Sequence, residues 1–344
     1  MKAAVVNTQG KLEIWDVPMP EVGPYDVLCE MCYGATCAGT DIHLMDGLHP
    51  RPVTFPTILG HESVGRVVEV GCKVRNFRIG DLVSRVGAPA GLLPGLNINW
   101  GGFAQFGIAR DHWEMRMDGI DASQWNSYRV NQIIHPDISE KTAPMLITWR
   151  ETLSYTNRIG VREGKTVLLI GSGANALAFA AHCCNLGAKT IVVGSASREQ
   201  VFHTFPICGY VNYRSENLLE EVRDKMHLLQ ASELDFILDG VGGSDVANAV
   251  LPLLKKDGSF CNYGWNGRRY YGLNPFNAAH SFRIYSDGYD EEESNSQAQQ
   301  MVLEGKLFAQ PWYDMDNPVP LSEIGRAYDS LRRHEALKYL IELK

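Results

Sequence analysis

The stretch Thr166-Val167-Leu168-Leu169-Ile170-Gly171-Ser172-Gly173-Ala174-Asn175-Ala176 indicates the fold of this chain more clearly than any other. The apolar run predicts a buried strand, and the glycine-rich turn after it predicts the start of a helix. In such a turn Gly171 permits the sharp bend, Gly173 lets the backbone approach a pyrophosphate, and Ala176 allows close helix–strand packing. Backbone N–H groups at the helix start would face the negative charge. The sequence therefore predicts a dinucleotide site at Gly171, Ser172, Gly173, Ala174, Asn175 and Ala176.

Alternating strands and helices surround this turn. Strands are predicted at 166–170, 190–193, 234–238 and 259–263, and helices at 174–186, 198–205, 216–230 and 245–255. This alternation favours a doubly wound parallel sheet over residues 151–285. Residues 1–150 hold short strands separated by glycine and proline, which favour a compact β-barrel. Residues 286–344 hold a predicted helix at 322–333 and a final strand, so the predicted fold class is α/β.

The end of the second predicted strand indicates which dinucleotide binds. A site for NAD usually has an Asp or Glu about 20 residues after the glycines, where it binds the ribose hydroxyls. Ser195 occupies that place, which leaves room for a 2′-phosphate, and Arg198 can pair with the phosphate in a bidentate manner. We therefore expect NADP(H) to be favoured over NAD(H). The alternative is a solvated arginine that opens a helix.

Composition and charge exclude several classes of protein. The 344 residues favour two domains, and a net charge of −8 argues against a nucleic-acid partner. The sequence has no apolar run of about 18 residues, which argues against a membrane span. Residues 1–6 lack the apolar region of a signal peptide, and the eight cysteines show no disulfide framework. A cytoplasmic protein is the resulting expectation.

Two segments of the first 150 residues suggest a metal site. They are Cys37-Ala38-Gly39-Thr40-Asp41-Ile42-His43 and Gly60-His61-Glu62. Together they supply a thiolate, an imidazole, carboxylates and a hydroxyl. A catalytic zinc takes sulfur, nitrogen and oxygen ligands and keeps one coordination position open. A metal site and a dinucleotide site in one chain indicate metal-assisted hydride transfer.

In these motifs the chain resembles the medium-chain dehydrogenase/reductase family, in particular its zinc-dependent alcohol and polyol dehydrogenase branch. The resemblance runs through Gly39-Thr40-Asp41-x-His43, Gly60-His61-Glu62-Ser63-Val64-Gly65, Gly80-Asp81, Gly101-Gly102-Phe103-Ala104 and the nucleotide turn. It implies a GroES-like barrel over 1–150, a Rossmann domain over 151–285, and a return to the catalytic domain over 286–344. It also implies that Cys37 and His61 bind zinc, with Glu62 as a close outer ligand.

The resemblance assigns further roles in proton transfer. Thr40 matches the hydroxyl that takes the alcohol proton, and His43 matches the histidine that passes the proton to solvent. Asp41 would orient His61. The implied partners are a small alcohol or carbonyl substrate and further copies of the chain, as a homodimer or homotetramer.

The sequence departs from the family pattern at the expected metal ligands. The family has one residue between the metal-binding cysteine and the Ser/Thr, whereas two separate Cys37 from Thr40. Either the turn accommodates the extra residue and Cys37 still binds metal, or Ala38 holds the ligand place and the sulfur ligand is lost. The family's third ligand falls near Ile147, which cannot bind metal, so either Glu62 or Glu151, one helical turn later, is the candidate.

Taken together, these motifs predict one catalytic zinc and no structural zinc, because Val86–Gly107 contains no cysteine. The expected function is a zinc-dependent oxidoreductase that transfers hydride between NADP(H) and a small alcohol, polyol or sugar-derived alcohol and its carbonyl compound. A zinc-free, NADPH-dependent carbonyl or enone reductase is the alternative. A non-catalytic nucleotide-binding protein is a third possibility, disfavoured because a scaffold needs none of the metal-site residues.

Overall fold

The computed structural model describes residues 1–48, 53–265 and 271–344. The chain divides into two compact units, Met1–Arg150 with Glu291–Lys344, and Glu151–Asp290. Among the described residues, no helix has the length and apolar character needed to cross a membrane.

The described strands of the first unit form two sheets. Its strands are β1 (Lys2–Val6), β2 (Leu12–Asp16), β3 (Asp26–Ala35), β4 (Thr57–Ile58), β5 (Glu62–Val70), β6 (Leu82–Ser84), β7 (Asn97–Ile98), β8 (Phe106–Arg110), β15 (Val319–Pro320) and β16 (Leu340–Glu342). The smaller sheet has the order β2-β1-β4-β7, and the larger has the order β15-β16-β3-β5-β6 with β8 paired to β3. Because β16 pairs with β3, the C-terminal segment completes the same sheet as the N-terminal strands.

The helices in this part of the chain are mostly short. They are α1 (His43–Met45), α2 (His112–Met117), α3 (Ala122–Trp125), the longer α4 (Met145–Ile159, which continues into the second unit), α9 (Asn295–Leu303) and α10 (Ile324–Arg332). One apolar core joins β3 and β5 to α10, including Met31, Val67, Phe103 and Leu331. This core supports the ends of β3 and β5, where the candidate metal ligands lie.

The second unit is a parallel sheet with helices between its strands. The strands are β9 (Thr166–Ile170), β10 (Lys189–Gly194), β11 (Gly209–Asn212), β12 (Leu234–Asp239), β13 (Leu254–Asn262) and β14 (Arg283–Tyr285), in the order β11-β10-β9-β12-β13-β14. The helices are α5 (Ala174–Asn185), α6 (Glu199–Phe202), α7 (Leu218–Leu228) and α8 (Ser244–Val250). This is the strand order of a dinucleotide-binding sheet, and the order reverses between β9 and β12, where such ligands bind.

Several predicted elements are corrected by the structure. The helix predicted at 245–255 ends at Val250, because Pro252 lies in a 3₁₀ turn and Leu254 already begins β13. The helix predicted at 198–205 is reduced to Glu199–Phe202 after a 3₁₀ turn. Strands β11 and β14 were not predicted, because both are short.

Candidate active site

The backbone at Cys37 adopts an unusual turn. Residues Ala38–Ile42 form a π-helix that leads directly into α1. A π-helical turn is wider than an α-helical turn and accommodates one more residue. The second residue between Cys37 and Thr40 is therefore contained in the turn, and the Cys37 side chain remains buried. Of the two alternatives left open by the sequence, this geometry favours the one in which Cys37 keeps its place.

Three potential metal-binding side chains converge at the ends of β3 and β5. Ala35 pairs with Glu62, so the segment leaving β3 lies beside the residues that begin β5. One donor atom from each of Cys37, His61 and Glu62 lies within 4.8 Å of the other two, and all three residues are buried. Thiol, imidazole and carboxylate groups are the donors that zinc takes in proteins. The residues present therefore fit a bound zinc ion.

Asp41 lies on the opposite side of the His61 ring from this donor cluster. Nδ1 of His61 is 3.4 Å from Oδ1 of Asp41, and Nε2 is 3.6 Å from Oε1 of Glu62. Asp41 is fixed in turn, because its Oδ2 accepts from the Tyr328 hydroxyl at 2.5 Å and from the Cys37 backbone N–H at 3.0 Å. A carboxylate at the second nitrogen is the usual partner of a metal-binding histidine. The structure thus places the Asp41 carboxylate, which is fixed by two donors, against Nδ1 of His61.

The polar groups around His61 favour its protonated form. Burial alone would lower the pKa of His61, but its polar neighbours Asp41 and Cys37 outweigh burial and raise that pKa well above its ordinary value. Burial and the Asp41 carboxylate raise the pKa of Tyr328, so its hydroxyl remains a donor. The Asp41 carboxylate thus lies against Nδ1 of His61, and the Glu62 carboxylate lies near Nε2 of the same ring.

A buried lysine, not foreseen from the sequence, neutralises Glu62. Nζ of Lys338 donates to the two carboxylate oxygens of Glu62 at 2.6 and 2.5 Å and to the Thr36 carbonyl at 3.1 Å. Burial lowers the pKa of Lys338, but the Glu62 carboxylate outweighs burial and the net pKa is raised. Lys338 and Glu62 are 276 positions apart, so no local spacing could have indicated the pair. Glu62 therefore has a cationic partner independently of any metal.

The remaining residues proposed for proton transfer lie in the same turn. Thr40 is half-buried within the π-helix, and His43 is half-buried at the start of α1. Trp100 packs beside the donor cluster of Cys37, His61 and Glu62, with its ring centroid 5.1 Å from that of His61. Its φ of +66° lies in the left-handed region, which is uncommon for a bulky residue and recurs at functional sites. Trp100 is 38% exposed, and its ring places an aromatic surface beside the imidazole.

The predicted dinucleotide turn joins β9 to α5 in the second unit. Gly171 has a φ of +127°, and a Cβ there would lie 3.1 Å from Cγ2 of Val241. Gly173 is the N-cap of α5, and a Cβ there would meet no heavy atom within 4 Å. Ala174 begins α5, and Ala176 is buried against the strand side. The first glycine is thus required by the fold, whereas the second leaves open space in front of the helix.

The two serines of the site are joined to each other. Ser172 accepts a hydrogen bond through its Oγ from the Ser195 backbone N–H at 3.0 Å, and the Ser195 carbonyl accepts from the Tyr210 hydroxyl at 2.8 Å. Arg198 ends the 3₁₀ turn that follows Ser195. The structure thus places Ser195 and Arg198 directly after β10, at the same sheet edge as the glycine turn.

A second arginine at this edge was missed by the sequence analysis. Gly194 and Asn212 are aligned in the pairing of β10 with β11, and the Tyr213 backbone N–H donates to the Gly194 carbonyl at 3.0 Å. Arg214 follows, and its Nε donates to the Tyr213 hydroxyl at 2.7 Å. A basic residue after the neighbouring strand would have been the signal, but β11 was not predicted.

Glu151 is the first residue of the second unit. It lies in α4, is almost fully buried, and its Oε2 accepts from the Tyr263 hydroxyl at 3.4 Å. The Tyr263 hydroxyl in turn accepts from Nδ2 of Asn175 at 3.4 Å. Glu151 is thereby linked through Tyr263 to the glycine turn.

The sequence of this chain is similar to those of known proteins. Residues 23–118 match the family model described as the alcohol dehydrogenase GroES-like domain. The chain is 26% identical over 282 residues to L-threonine 3-dehydrogenase of Shewanella sp. (strain MR-7), covering 77% of each protein.

Solved structures share the fold over nearly the whole chain. Benzyl alcohol dehydrogenase from Acinetobacter calcoaceticus superposes with a TM-score of 0.81 at 15% identity, covering 100% of this chain and 99% of the other. A putative zinc-binding dehydrogenase from Sinorhizobium meliloti 1021, solved with NADP bound, superposes with a TM-score of 0.79 at 20% identity, covering 99% and 98%. These likenesses confirm the predicted combination of a GroES-like domain and a parallel nucleotide-binding sheet.

Proposed function

Because this chain belongs to the medium-chain dehydrogenase/reductase family, we propose that it is a zinc-dependent oxidoreductase that prefers NADP(H) and acts on small alcohols, polyols or sugar-derived alcohols and their carbonyl compounds. One observation carries the proposal: buried donor atoms of Cys37, His61 and Glu62 lie within 4.8 Å of one another. The names of its relatives, which include threonine and benzyl alcohol dehydrogenases, support an alcohol as substrate.

In this proposal, residues of the first unit bind zinc and transfer the proton of the alcohol. Cys37, His61 and Glu62 hold the zinc, which when bound supplies a Lewis acid that favours loss of a hydroxyl proton. Asp41 holds the Nδ1 side of His61, so that Nε2 faces the other donors. Thr40 accepts the proton from the substrate hydroxyl, and His43 passes it to solvent. The burial of the donor set keeps water from competing for these groups.

The residues of the second unit select the cofactor. The turn from Gly171 to Ala176 holds the pyrophosphate, and the open space before Gly173 leaves room for it. Ser195 and Arg198 hold the 2′-phosphate, because Ser195 removes the repulsion that a carboxylate would cause and Arg198 supplies positive charge. A structural neighbour solved with NADP supports this choice.

Metal content per chain tests the proposal most directly. Elemental analysis of protein purified without chelators or a metal-affinity step is expected to find about one zinc per chain. Cys37→Ala is expected to lose the metal and the oxidation of alcohols by NADP⁺ together. Cys72→Ala is the matched control, because Cys72 is an exposed thiol of the same unit. A Cys37→Ala protein that keeps its zinc would refute the ligand assignment.

The third ligand is assigned to Glu62 in this proposal, and Glu151 is the alternative. Glu62→Gln is expected to lower zinc affinity by about ten-fold or more, because it removes an anionic oxygen donor. Glu151→Gln is expected to leave zinc affinity unchanged, because its carboxylate is held by Tyr263 next to the nucleotide turn. Competition with a chelator measures both affinities. The reverse pattern would move the assignment to Glu151.

One observation favours a second function. Lys338 already neutralises Glu62, so the cluster has a cation of its own beside Cys37 and His61. This supports a zinc-free, NADPH-dependent carbonyl or enone reductase as the second candidate. Such an enzyme would contain no stoichiometric zinc and would reduce carbonyl compounds or enones at the same rate with and without a chelator. Zinc-dependent oxidation of alcohols would exclude it.

A further inference from the structure

A buried ion pair joins the two points at which the chain passes between the units. Arg150 is the last residue before the second unit, and Glu291 is the first residue after it. Nη2 of Arg150 donates to Oε2 of Glu291 at 2.9 Å, with both side chains almost fully buried. Nη1 of Arg150 also donates to Oγ of Ser84 at 2.9 Å, which fixes the pair to the end of β6.

Arg85 connects this ion pair to the backbone of the metal cluster. Its Nη2 donates to Oε1 of Glu291 at 2.5 Å, and its Nη1 donates to the carbonyl of His61 at 2.7 Å. Its own backbone N–H donates to the carbonyl of Ser63 at 2.7 Å. Arg85 therefore holds the residues on both sides of Glu62. The two carboxylate oxygens of Glu291 each bind one guanidinium group, Arg85 and Arg150.

The backbone of Arg85 indicates that this arrangement is imposed by its surroundings. Its φ of +62° lies in the left-handed region, which costs free energy for a residue with a Cβ. The side chain is only 9% exposed, so its charge depends on Glu291 for compensation. A planar guanidinium group can serve a carboxylate and a carbonyl at once through separate N–H groups.

We propose that Arg85 is a positioning residue that fixes the His61–Glu62 backbone for metal binding, with Glu291 as its anchor. The inference rests on the proposed zinc site at Cys37, His61 and Glu62. His61 precedes β5, so its carbonyl lies outside the pairing of β5 with β3, and Arg85 supplies its donor. Loss of this contact frees the peptide that carries two of the three donors.

Two variants separate this role from the general stability of the fold. Arg85→Lys keeps a positive charge for Glu291, but a single ammonium group lacks the planar fork that also reaches the His61 carbonyl. Arg85→Met removes both contacts. Arg66→Met is the matched control, because Arg66 lies on β5 and pairs with Glu140 at the surface.

Two measurements are made on each protein. The first is hydrogen–deuterium exchange of peptides that cover residues 59–64 in the metal-free protein. The second is zinc affinity by chelator competition, together with the visible spectrum of the Co²⁺-substituted protein, which reports ligand geometry. Arg85→Lys is expected to speed exchange in residues 59–64, to weaken zinc binding by about ten-fold and to alter the Co²⁺ spectrum. Arg66→Met is expected to change none of these.

Each outcome decides the inference. Wild-type exchange and zinc affinity in a folded Arg85→Lys protein would overturn it, and this variant decides the matter if Arg85→Met fails to fold. If the wild type binds no zinc, the proposed zinc function fails on that measurement. The exchange of residues 59–64 in the metal-free protein still decides whether Arg85 holds the His61 backbone.

Discussion

Glu62 is shared between two possible cations. Its carboxylate forms a buried ion pair with Lys338 and also belongs to the donor set with Cys37 and His61. A buried carboxylate without a cation is costly, so Lys338 stabilises the site when no metal is bound. The same pairing reduces the charge that Glu62 can offer to zinc. In the proposed zinc site, the affinity for metal is thus expected to depend on Lys338, which the sequence motifs do not include.

Replacement of Lys338 tests this competition. Lys338→Met is expected to lower the free energy of unfolding of the metal-free protein by about 3–5 kcal/mol, because Glu62 loses its partner in the interior. Added zinc is expected to restore more stability to this variant than it adds to the wild type. Thermal unfolding with and without zinc measures both effects.

The control for Lys338→Met is Lys73→Met, which removes an exposed pair with Asp118 in the same unit. It should leave the stabilisation by zinc unchanged. Equal stabilisation of Lys338→Met and wild type by zinc would show that Glu62 does not respond to the metal.

The prediction on cofactor choice concerns Arg198, and also Arg214, which follows the neighbouring strand. Loss of a charge-assisted hydrogen bond to the 2′-phosphate costs about 1.5–3 kcal/mol, or ~10- to 150-fold in affinity. Arg198→Ala and Arg214→Ala are therefore expected to weaken NADPH binding by factors in this range and to leave NADH binding unchanged. Fluorescence titration of both cofactors measures this difference.

Arg223→Ala is the control for this pair, because Arg223 lies on α7 and pairs with Glu220 at the surface. If Arg198→Ala binds NADPH as the wild type does, the basis for the NADP(H) preference is removed.

At the scale of elements, the π-helix Ala38–Ile42 shows how an extra residue between Cys37 and Thr40 is contained in the turn while Cys37 stays beside His61 and Glu62. Counting residues from Thr40 puts Ala38 at the ligand place, because counting assumes a turn of fixed width. The wider turn absorbs the additional residue, and Cys37 lies with His61 and Glu62. Sequence alone could state both alternatives but could not choose, because the choice depends on backbone hydrogen bonds that no composition signal records.

The glycine turn was predictable in detail because each of its requirements is local. The strand Thr166–Ile170 was predicted at its observed bounds, and α5 was predicted to begin at Ala174, as observed. By contrast, Lys338, Arg85 and Glu291 reach their partners across long sequence separations. Such contacts arise only once the sheets form, so residue spacing carries no signal for them.

Two glycines of this turn give opposite predictions for stability. Gly171→Ala is expected to lower the free energy of unfolding by more than about 1 kcal/mol, because φ is +127° and the new Cβ meets Val241. Gly173→Ala is expected to preserve or slightly raise stability, because its φ is −86° and its surroundings are open. Its new methyl group enters the space proposed for the pyrophosphate and is expected to weaken dinucleotide binding.

Chemical denaturation and NADPH titration of the two proteins test this separation. If Gly173→Ala binds NADPH as tightly as the wild type, the pyrophosphate does not lie against this residue, and the proposed placement of the cofactor is wrong.

At the scale of the whole molecule, metal and dinucleotide sites belong to different compact units. The proposed metal ligands Cys37, His61 and Glu62 lie in the unit that combines 1–150 with 291–344. The glycine turn lies in the unit 151–290, which has its own apolar core around β9 and β12. The patterns of residues 1–150 and 151–285 differ in periodicity along the sequence. The pairing of β16 with β3 joins segments from the two ends of the chain, and such a contact has no local pattern.

Each ligand is therefore expected to stabilise chiefly the unit that binds it. A ligand that binds only the folded state protects the structure it contacts in proportion to its occupancy. Zinc is expected to slow hydrogen–deuterium exchange first in peptides around 35–43, 59–64 and 336–341, and NADPH in peptides around 168–178 and 193–199. Exchange mass spectrometry of the protein with each ligand alone measures the two patterns. Protection by zinc confined to 151–290 would refute the assignment of the metal to the first unit, because its proposed ligands all precede that segment.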